Sequence, residues 1–237
     1  MWKYRLEWIF GLIMLAAVAL VAERGFPIVA EADVQANTFV VVVDPGHGGQ
    51  DPGKVGVNNS LEKEINLDIA LKLKAVLERE GVTVYLTRTD DNGLYSETDS
   101  NKKRTDLSAR ITQIEEKKPD LVISVHQNSY PSQNVTGPQT FYYKSSEDGK
   151  RLAETIQSVF LKRFPDHKRQ AKANGNYYLL LHTSCPTVIA ECGFLSNWEE
   201  AELLKSPEYQ EKMAGAIAEG IMEYLRAGQN TGEGVAQ

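Results

Sequence analysis

Residues 39–49, with the sequence FVVVVDPGHGG, join a run of four valines to an acidic residue and a glycine-rich loop. β-Branched residues favour extended backbone, and an uninterrupted apolar run is typical of a strand buried on both faces. Strands of this kind occur in parallel sheets that helices cover on both sides. The sequence that follows should therefore alternate helices with further strands.

The rest of the chain alternates in this way. Apolar residues at helical spacing predict helices over 61–80, 107–118 and 152–164. Short apolar, β-branched or aromatic runs predict strands over 82–87, 121–125, 139–143, 177–181 and 187–191. Asn197 and Ser206 are helix-capping residues that predict a short helix and then a long last helix, and residues 89–105 read as a long polar loop. We predict an α/β domain with a mostly parallel sheet and helices on both faces.

Composition excludes several classes of protein. The 237 residues are enough for one sizeable domain, and the net charge of −6 does not favour a protein that binds nucleic acid through a basic face. Only two cysteines are present, Cys185 and Cys192. The segment between them reads as extended, which separates the thiols too far for a disulfide, so we predict two free thiols.

The N-terminus has the pattern of an export signal. Lys3 and Arg5 precede an apolar run over 8–22, and the small residues Ala30 and Ala32 offer a cleavage site. We predict a signal peptide or membrane anchor plus linker at 1–37, a folded domain at 38–226 and a disordered tail at 227–237. The protein should then be exported, either secreted or anchored on the outer side of the cytoplasmic membrane.

Metal-binding and acid–base residues stand where predicted strands end. His47 follows the first strand, His126 ends the third, Glu191 ends the last, and Glu62 lies in the first turn of the first helix. Ligands of open α/β sheets bind at the carboxyl ends of the strands. Two histidines, one carboxylate and an open position make a catalytic zinc site, and a further carboxylate such as Glu191 can move a proton.

The ligand set is not fixed by spacing alone. Glu64 competes with Glu62, but two positions apart on a helix they face different ways, so only one can serve. Asp44 is a possible ligand, although support of the site or capping of the loop fits it better. Glycines at 46, 48 and 49 would let the backbone approach closely around His47.

Other polar residues have weaker indications. Arg88 and His182 are candidate substrate contacts. Arg88 could orient a carboxylate through two hydrogen bonds, and His182 follows a predicted strand and could reach the sheet edge that carries the metal-binding residues. We expect Arg110 to pair with nearby acids at the surface and His167 to be solvated. Cys192 directly follows Glu191 and reads as a small buried residue, because no adjacent base would activate its thiol.

Five strings of sequence together resemble a known family. They are DPGHGG at 44–49, LEKE at 61–64, LTR at 86–88, SVHQN at 124–128 and ECGFLSN at 191–197. In this order and approximate spacing they are similar to the zinc-dependent N-acetylmuramoyl-L-alanine amidases of the amidase 3 type. The resemblance extends over residues 39–225, which is nearly the whole predicted domain.

The resemblance implies a site and a reaction. Zinc would be bound by His47, Glu62 and His126, with Glu62 chosen over Glu64 because the family's metal-binding glutamate precedes a lysine. Glu191 would be the general base and acid, and Asn128 in the fourth string is a candidate substrate contact. The substrate would be the peptidoglycan amide between the lactyl group of N-acetylmuramic acid and L-alanine. The fold would be a twisted, mostly parallel sheet of about six strands.

Within the family, the short length, the N-terminal apolar segment and the string SPEYQEK at 206–212 are most similar to germination-specific amidases of spore-forming bacteria. This implies that the protein acts on spore cortex, in the formation of muramic δ-lactam and in germination. Its substrate would be peptidoglycan strands with peptide stems, and a peptidoglycan deacetylase would act in the same pathway. The alternatives are a vegetative cell-wall autolysin, an inactive peptidoglycan-binding module, or a zinc hydrolase of another amide.

Overall fold

The computed structural model of the protein describes residues 39–230. The predicted signal or anchor at 1–37 lies outside the described residues. The strands are β1 Val40–Pro45, β2 Thr83–Leu86, β3 Leu121–Asn128, β4 Gln139–Tyr143, β5 Lys172–Asn174 and β6 Thr187–Phe194. The helices are α1 Glu62–Arg79, α2 Lys102–Lys117, α3 Glu147–Arg163, α4 Tyr178–His182, α5 Trp198–Lys205 and α6 Pro207–Asn230.

The strands form one six-stranded sheet in the order β2-β1-β3-β6-β4-β5. Neighbouring strands run parallel except β4, which is antiparallel to β6. The prediction of an α/β domain with a mostly parallel sheet is therefore confirmed. Because β1, β3 and β6 are adjacent and parallel, their carboxyl ends lie together at one edge of the sheet.

The first strand explains why both faces of the sheet need cover. Val41 and Val43 point into the core that α1, α3 and α6 build on one face. Val42 points the other way and packs with Ile114 of α2 and Leu179 of α4. Successive side chains of a strand alternate between faces, so the unbroken valine run is a consequence of burial on both sides.

Side-chain caps set several helix starts. Asn197 caps α5 and the Ser206 hydroxyl accepts from the backbone at the start of α6, as predicted. Two other helices begin about one turn earlier than their first apolar residue suggested, because Asn101 caps α2 and Ser146 caps α3. The polar loop that follows β2 therefore ends at 101 instead of 105.

The prediction of a strand over 177–181 is wrong. It forms the short helix α4, and the sixth strand is β5, which the sequence analysis missed. The side chain of Asn174 accepts a hydrogen bond from the backbone of Tyr177 at 3.1 Å and turns the chain into this helix. A short apolar run does not distinguish a buried strand from a buried helical turn, so the pattern was ambiguous here.

The last helix continues to Asn230, past residue 226, where the sequence predicted the domain to end and a tail to begin. Within residues 39–230, every helix is too short or too polar to span a lipid bilayer. Both cysteines in this part of the chain have free thiols, with Cys192 buried in the core and Cys185 partly buried.

Candidate active site

The structure brings His47, Glu62 and His126 together at the carboxyl edge of the sheet. Their potential ligand atoms all lie within 4.8 Å of one another. The Glu62 Oε1 atom is 3.1 Å from His47 Nε2 and 3.0 Å from His126 Nδ1. The two imidazole rings meet edge to face, with centroids 4.9 Å apart. These are the three residues that the sequence indicated as metal ligands.

The donor set fits a zinc ion. Two imidazoles and one carboxylate are typical protein ligands of catalytic zinc, and ligand atoms around a tetrahedral zinc are about 3.3 Å apart, near the two distances to Glu62. His47 Nδ1 is 2.9 Å from Asp51 Oδ2. A carboxylate behind a metal-binding histidine fixes the orientation of the ring and is a usual feature of such sites.

The loop between β1 and α1 is shaped around these side chains. His47 has a φ of 63°, a left-handed conformation that is uncommon outside glycine and that occurs at functional sites. A Cβ atom on Gly46 would lie 2.2 Å from the ring of His126. A Cβ atom on Gly53, whose φ is 68°, would lie 2.6 Å from Glu62 Oε2. Both glycines are therefore required for the close approach of the ligands.

Glu62 is held in its charged form. Its Oε2 accepts from the backbone of Lys54 at 2.7 Å, and its Oε1 accepts from the backbone of Gln127 at 3.1 Å. Burial alone would raise its pKa, but the hydrogen bonds and charges of His126 and His47 outweigh burial and hold the pKa well below the usual range. A deprotonated, positioned carboxylate is ready to serve as a ligand.

Glu191 lies next to this group. The pairing of β3 with β6 puts Glu191 opposite His126. Its Oε1 accepts a hydrogen bond from the Tyr177 hydroxyl at 3.2 Å, while its Oε2 is buried without a partner in the described part of the chain. Burial, opposed by His126 and aided by Glu62, raises its pKa to about 7. Such a carboxyl group can take up and release a proton near neutral pH.

Sequence reasoning missed two residues of this site, Asp51 and Tyr177. Asp51 stands four positions after His47 in the glycine-rich loop, and this proximity was an available signal. Tyr177 is 14 positions from Glu191, in the segment that was predicted as a strand, and nothing local connects the two. The ring of Tyr177 packs edge to face on Phe141 of β4 at 5.7 Å, which fixes its position beside Glu191.

Asp44 supports the site from behind and is not part of the ligand group. Its carboxylate accepts from Thr87 and Ser124 at 2.6 Å each and from Arg110 at 2.7 Å. Burial would raise its pKa, but Arg110 and the two hydroxyls hold it at about 2. The expected surface location of Arg110 is wrong: it is 1% exposed, because the acids that it pairs with, Asp44 and Asp106, are themselves buried.

Arg88, the third candidate substrate contact, is buried in the structure, and its role as a contact stays a prediction. It is 4% exposed, and its guanidinium donates to the backbone carbonyls of Pro45 and Gly46, each at 3.0 Å, and of Lys63 at 2.8 Å. A fourth hydrogen bond goes to the carbonyl of Asp90. These contacts use the guanidinium to join the β1 loop to α1.

The other two candidate substrate contacts lie at the periphery. His182 is exposed at the end of α4, stacked on Tyr178 with ring centroids 4.0 Å apart, and outside the ligand group. Asn128 ends β3, two residues after His126, and its side chain accepts from the backbone of Ser129 at 2.8 Å. Both stay predictions as contacts of the substrate.

Three further residues singled out in the sequence, Glu64, Cys192 and His167, lie outside the ligand group. Glu64 is exposed and takes no part in the ligand group, so the structure favours Glu62 of the two candidates. Cys192 is buried, as expected for a small core residue. His167 was predicted to be solvated but is 9% exposed, because its loop folds back and its Nδ1 accepts from the backbone of Arg169 at 3.3 Å.

Comparison with known proteins gives consistent matches. A family model described as N-acetylmuramoyl-L-alanine amidase matches residues 41–223. The germination-specific N-acetylmuramoyl-L-alanine amidase of Bacillus subtilis is 37% identical over 189 residues, which cover 78% of this chain and 79% of that protein. The N-acetylmuramoyl-L-alanine amidase LytC of the same organism is 34% identical over 189 residues, 78% of this chain but 35% of that longer protein.

Among solved structures, the CwlD amidase of Clostridioides difficile, determined in complex with the GerS lipoprotein, is similar in fold and sequence. The TM-score is 0.78 and the identity is 38%, and the match covers 80% of this chain and 100% of that one.

Proposed function

The chain belongs to the family of N-acetylmuramoyl-L-alanine amidases, and on this premise we propose that it is a zinc enzyme of the spore cortex. The reaction is hydrolysis of the amide between the lactyl group of N-acetylmuramic acid and L-alanine in peptidoglycan. The proposal adds the metal, the residues that act, the type of wall and the place outside the cytoplasmic membrane.

The observation that carries the proposal is the arrangement of four side chains. Glu62 Oε1 lies within 3.1 Å of nitrogen atoms of His47 and His126, and Glu191 stands opposite His126 on the next strand. Three donors suited to zinc therefore adjoin a fourth group whose Oε2 is buried without a partner in residues 39–230. This is the division between ligands and proton carrier that metal-assisted amide hydrolysis requires.

Zinc held by His47, Glu62 and His126 would supply acidity, since bound zinc lowers the pKa of water to about 7 and polarises a carbonyl group. The protein itself must move the protons. Glu191 accepts a proton from the attacking water at its free Oε2 atom and delivers it to the leaving nitrogen of L-alanine. A pKa near 7 suits both steps, because the group is neither a strong acid nor a strong base at neutral pH.

Tyr177 positions this proton carrier. Burial and the neighbouring Glu191 carboxylate raise the pKa of its hydroxyl well above the usual range, so it remains a donor. By donating to Glu191 Oε1, the hydroxyl directs the other oxygen to the reaction.

The cortex role follows from similarity to the germination-specific amidase of Bacillus subtilis and to CwlD, together with the export pattern of the N-terminus. CwlD was solved with a lipoprotein, not with the deacetylase expected from the resemblance. We therefore propose that the direct partner is a lipoprotein. A deacetylase would act separately, as a second enzyme on the same strands.

The test is turnover of defined walls by the purified full-length protein, with products identified by mass. Cortex strands and vegetative strands are incubated separately, with chelator and after readdition of zinc. We expect chelator-sensitive, zinc-restored release of peptides that begin with alanine, faster from cortex. Faster release from vegetative strands would favour an autolysin, cleavage of another bond would favour a different amide hydrolase, and zinc binding without any release would indicate a binding module.

A further inference from the structure

The buried face of α1 carries a polar side chain where its pattern calls for an apolar one. Ile65, Ile69 and Leu73 are buried on this face, and Asn66, which stands among them, is fully buried as well. Asparagine is a poor helix former, and a buried amide costs free energy unless its polar atoms are hydrogen-bonded. The ligand set and the proton transfers do not use this residue, so its place in the core requires another reason.

Three contacts occupy the Asn66 amide. Its Nδ2 atom donates to the backbone carbonyl of Gly46 at 3.0 Å and, through a longer contact of 3.5 Å, to Glu62 Oε1. Its Oδ1 atom accepts from Gln127 Nε2 at 3.1 Å. A carbonyl and a carboxylate can only accept, so the NH₂ group must face them, and the amide oxygen is directed to Gln127. The partners therefore fix the orientation of the amide.

The three partners belong to the three segments that carry the candidate metal ligands. Gly46 directly precedes His47 in the loop after β1. Gln127 directly follows His126 on β3. The third partner, Glu62, is itself a ligand and lies one helical turn before the amide on α1. One buried amide therefore connects the loop, the strand and the helix at the point where their ligands converge.

Small shifts of these segments would displace the ligands. The backbone of Gly46 passes so close to the His126 ring that a Cβ atom there would lie 2.2 Å from it. The backbone N–H of Gln127 donates to Glu62 Oε1 at 3.1 Å. Movement of either segment would therefore change the position of a ligand ring or of the ligand carboxylate, and groups that orient metal ligands determine metal affinity.

We propose that Asn66 is a positioning residue, which holds the two histidines and Glu62 at the separations that a bound zinc ion requires. The inference rests on the proposed function, since it takes these three side chains as the zinc ligands. The amide acts on Glu62 through a long direct contact and on the two histidines through the segments of Gly46 and Gln127. The site is thereby spaced for the metal by a residue that does not bind it.

The expected effect is a loss of metal affinity. Loss of a group that orients metal ligands typically weakens metal binding by about 10- to 100-fold, and we expect a loss of this size for Asn66→Ala. Truncation to alanine removes all three contacts of the amide without adding a clash, and alanine favours the helix. The absorption spectrum of the protein loaded with Co²⁺ should change as well, because that spectrum depends on the coordination geometry.

The matched control is Gln157→Ala, which truncates another buried helical amide. Gln157 is 2% exposed on α3, donates to the carbonyls of Pro138 and Arg169 at 3.2 and 3.1 Å, and accepts from the backbone of Thr140 at 2.8 Å. Its contacts are of the same kind as those of Asn66 but involve no segment next to a ligand. This variant should lower the stability of the fold and leave zinc affinity and the Co²⁺ spectrum unchanged.

A second variant, Gln127→Met, decides the matter if Asn66→Ala does not fold. It removes the side-chain hydrogen bond to Asn66 and keeps the backbone donor to Glu62. Zinc affinity should fall, but by less than in Asn66→Ala, because only one of the three contacts is lost. Since the two residues act along one route, the double variant should lose less affinity than the product of the two single losses.

The test is titration of the purified full-length protein and its variants with zinc against a competing chelator, well below their unfolding temperatures. Co²⁺ spectra and turnover of muropeptides are measured on the same preparations. Wild-type affinity and spectrum in Asn66→Ala, or in Gln127→Met where the first variant does not fold, would overturn the inference and leave the proposed reaction in place. An equal loss of affinity in Gln157→Ala would also overturn it. A wild type that binds no zinc would overturn both the inference and the proposed metal.

Discussion

Two buried carboxylates at the same edge of the sheet have opposite surroundings. Asp44 receives hydrogen bonds from two hydroxyls and a guanidinium, all of them permanent donors. Glu62, whose side chain is equally buried, faces two imidazole nitrogens through a single oxygen. The charge of Asp44 is matched by a guanidinium. Glu62 also accepts from two backbone amides, but its Oε1 faces two imidazoles, and together they offer lone pairs that a metal ion can complete.

The two carboxylates therefore have different roles, Asp44 in stability and Glu62 in function. The Asp44–Arg110 pair holds β1, β3 and α2 around the site, and breaking it should affect folding. The group around Glu62 contributes less to the fold, and changing it should affect metal binding and turnover. The following predictions test this separation in order of expected size.

The largest effect is expected for Glu62→Gln. The amide keeps the shape of the side chain and an acceptor for the backbone of Lys54, but it is a poor zinc ligand. Zinc content should fall and turnover should drop by more than about a hundredfold, with little change in thermal stability of the metal-free protein. The exposed neighbour Glu64 supplies the control, since Glu64→Gln should keep both metal and rate. Full zinc in the Glu62 variant would move the ligand role elsewhere.

Arg110→Met should be the most destabilising of these changes. It leaves Asp44 charged and buried without its cation, and breaking a buried pair costs about 3–5 kcal/mol of the free energy of unfolding. Denaturant unfolding of the metal-free protein measures this directly. Arg104→Met, on the exposed side of the same helix, should stay within about 0.5 kcal/mol. Equal losses for the two variants would remove the distinction between the regions.

Acid should weaken the Asp44 region selectively. The folded pKa of Asp44, about 2, is below the ordinary value of 3.8, so its contribution is present above that ordinary value and is lost as pH falls toward 2. The size is about 2 kcal/mol. The free energy of unfolding of Asp44→Asn, although lower overall, should fall less steeply between pH 4 and 2. Parallel slopes for the two proteins would contradict the assigned pKa.

The smallest effect concerns the positioning of Glu191. Tyr177→Phe removes one hydrogen bond, worth about 1 kcal/mol, and should lower kcat by about three- to tenfold while KM is unchanged. Tyr178→Phe, one residue along, is the matched control because its ring stacks on His182 and not on the site. A change in KM alone would make Tyr177 a substrate contact instead.

The sequence was sufficient to predict the sheet and the main site residues, because the same pattern, an apolar strand followed by a polar functional residue, recurs along the chain. Unbroken apolar strands predicted the parallel sheet, and the position of His47, Glu62, His126 and Glu191 at strand ends or a helix start predicted their meeting, because parallel strands bring those ends together. Capping residues located the last two helices for the same local reason.

The sequence was insufficient where contacts between distant residues determine the burial of a side chain or the conformation of a segment. Arg110 and Arg88 look like surface residues until folding supplies their buried partners, 66 and 43 positions away. The helix α4 was taken for a strand because its five residues are too few to show a period. That error also hid Tyr177, whose contact with Glu191 depends on the turn that Asn174 makes.

The most direct test of the central claim uses Glu191→Gln, with zinc content and turnover of cortex strands measured on the same preparation. If Glu191 moves the proton and the other three residues hold the metal, the variant should keep one zinc per chain and lose turnover by about 10²- to 10⁴-fold. Wild-type turnover with zinc bound would show that another group moves the proton. Loss of zinc would make Glu191 a ligand and contradict the division of roles.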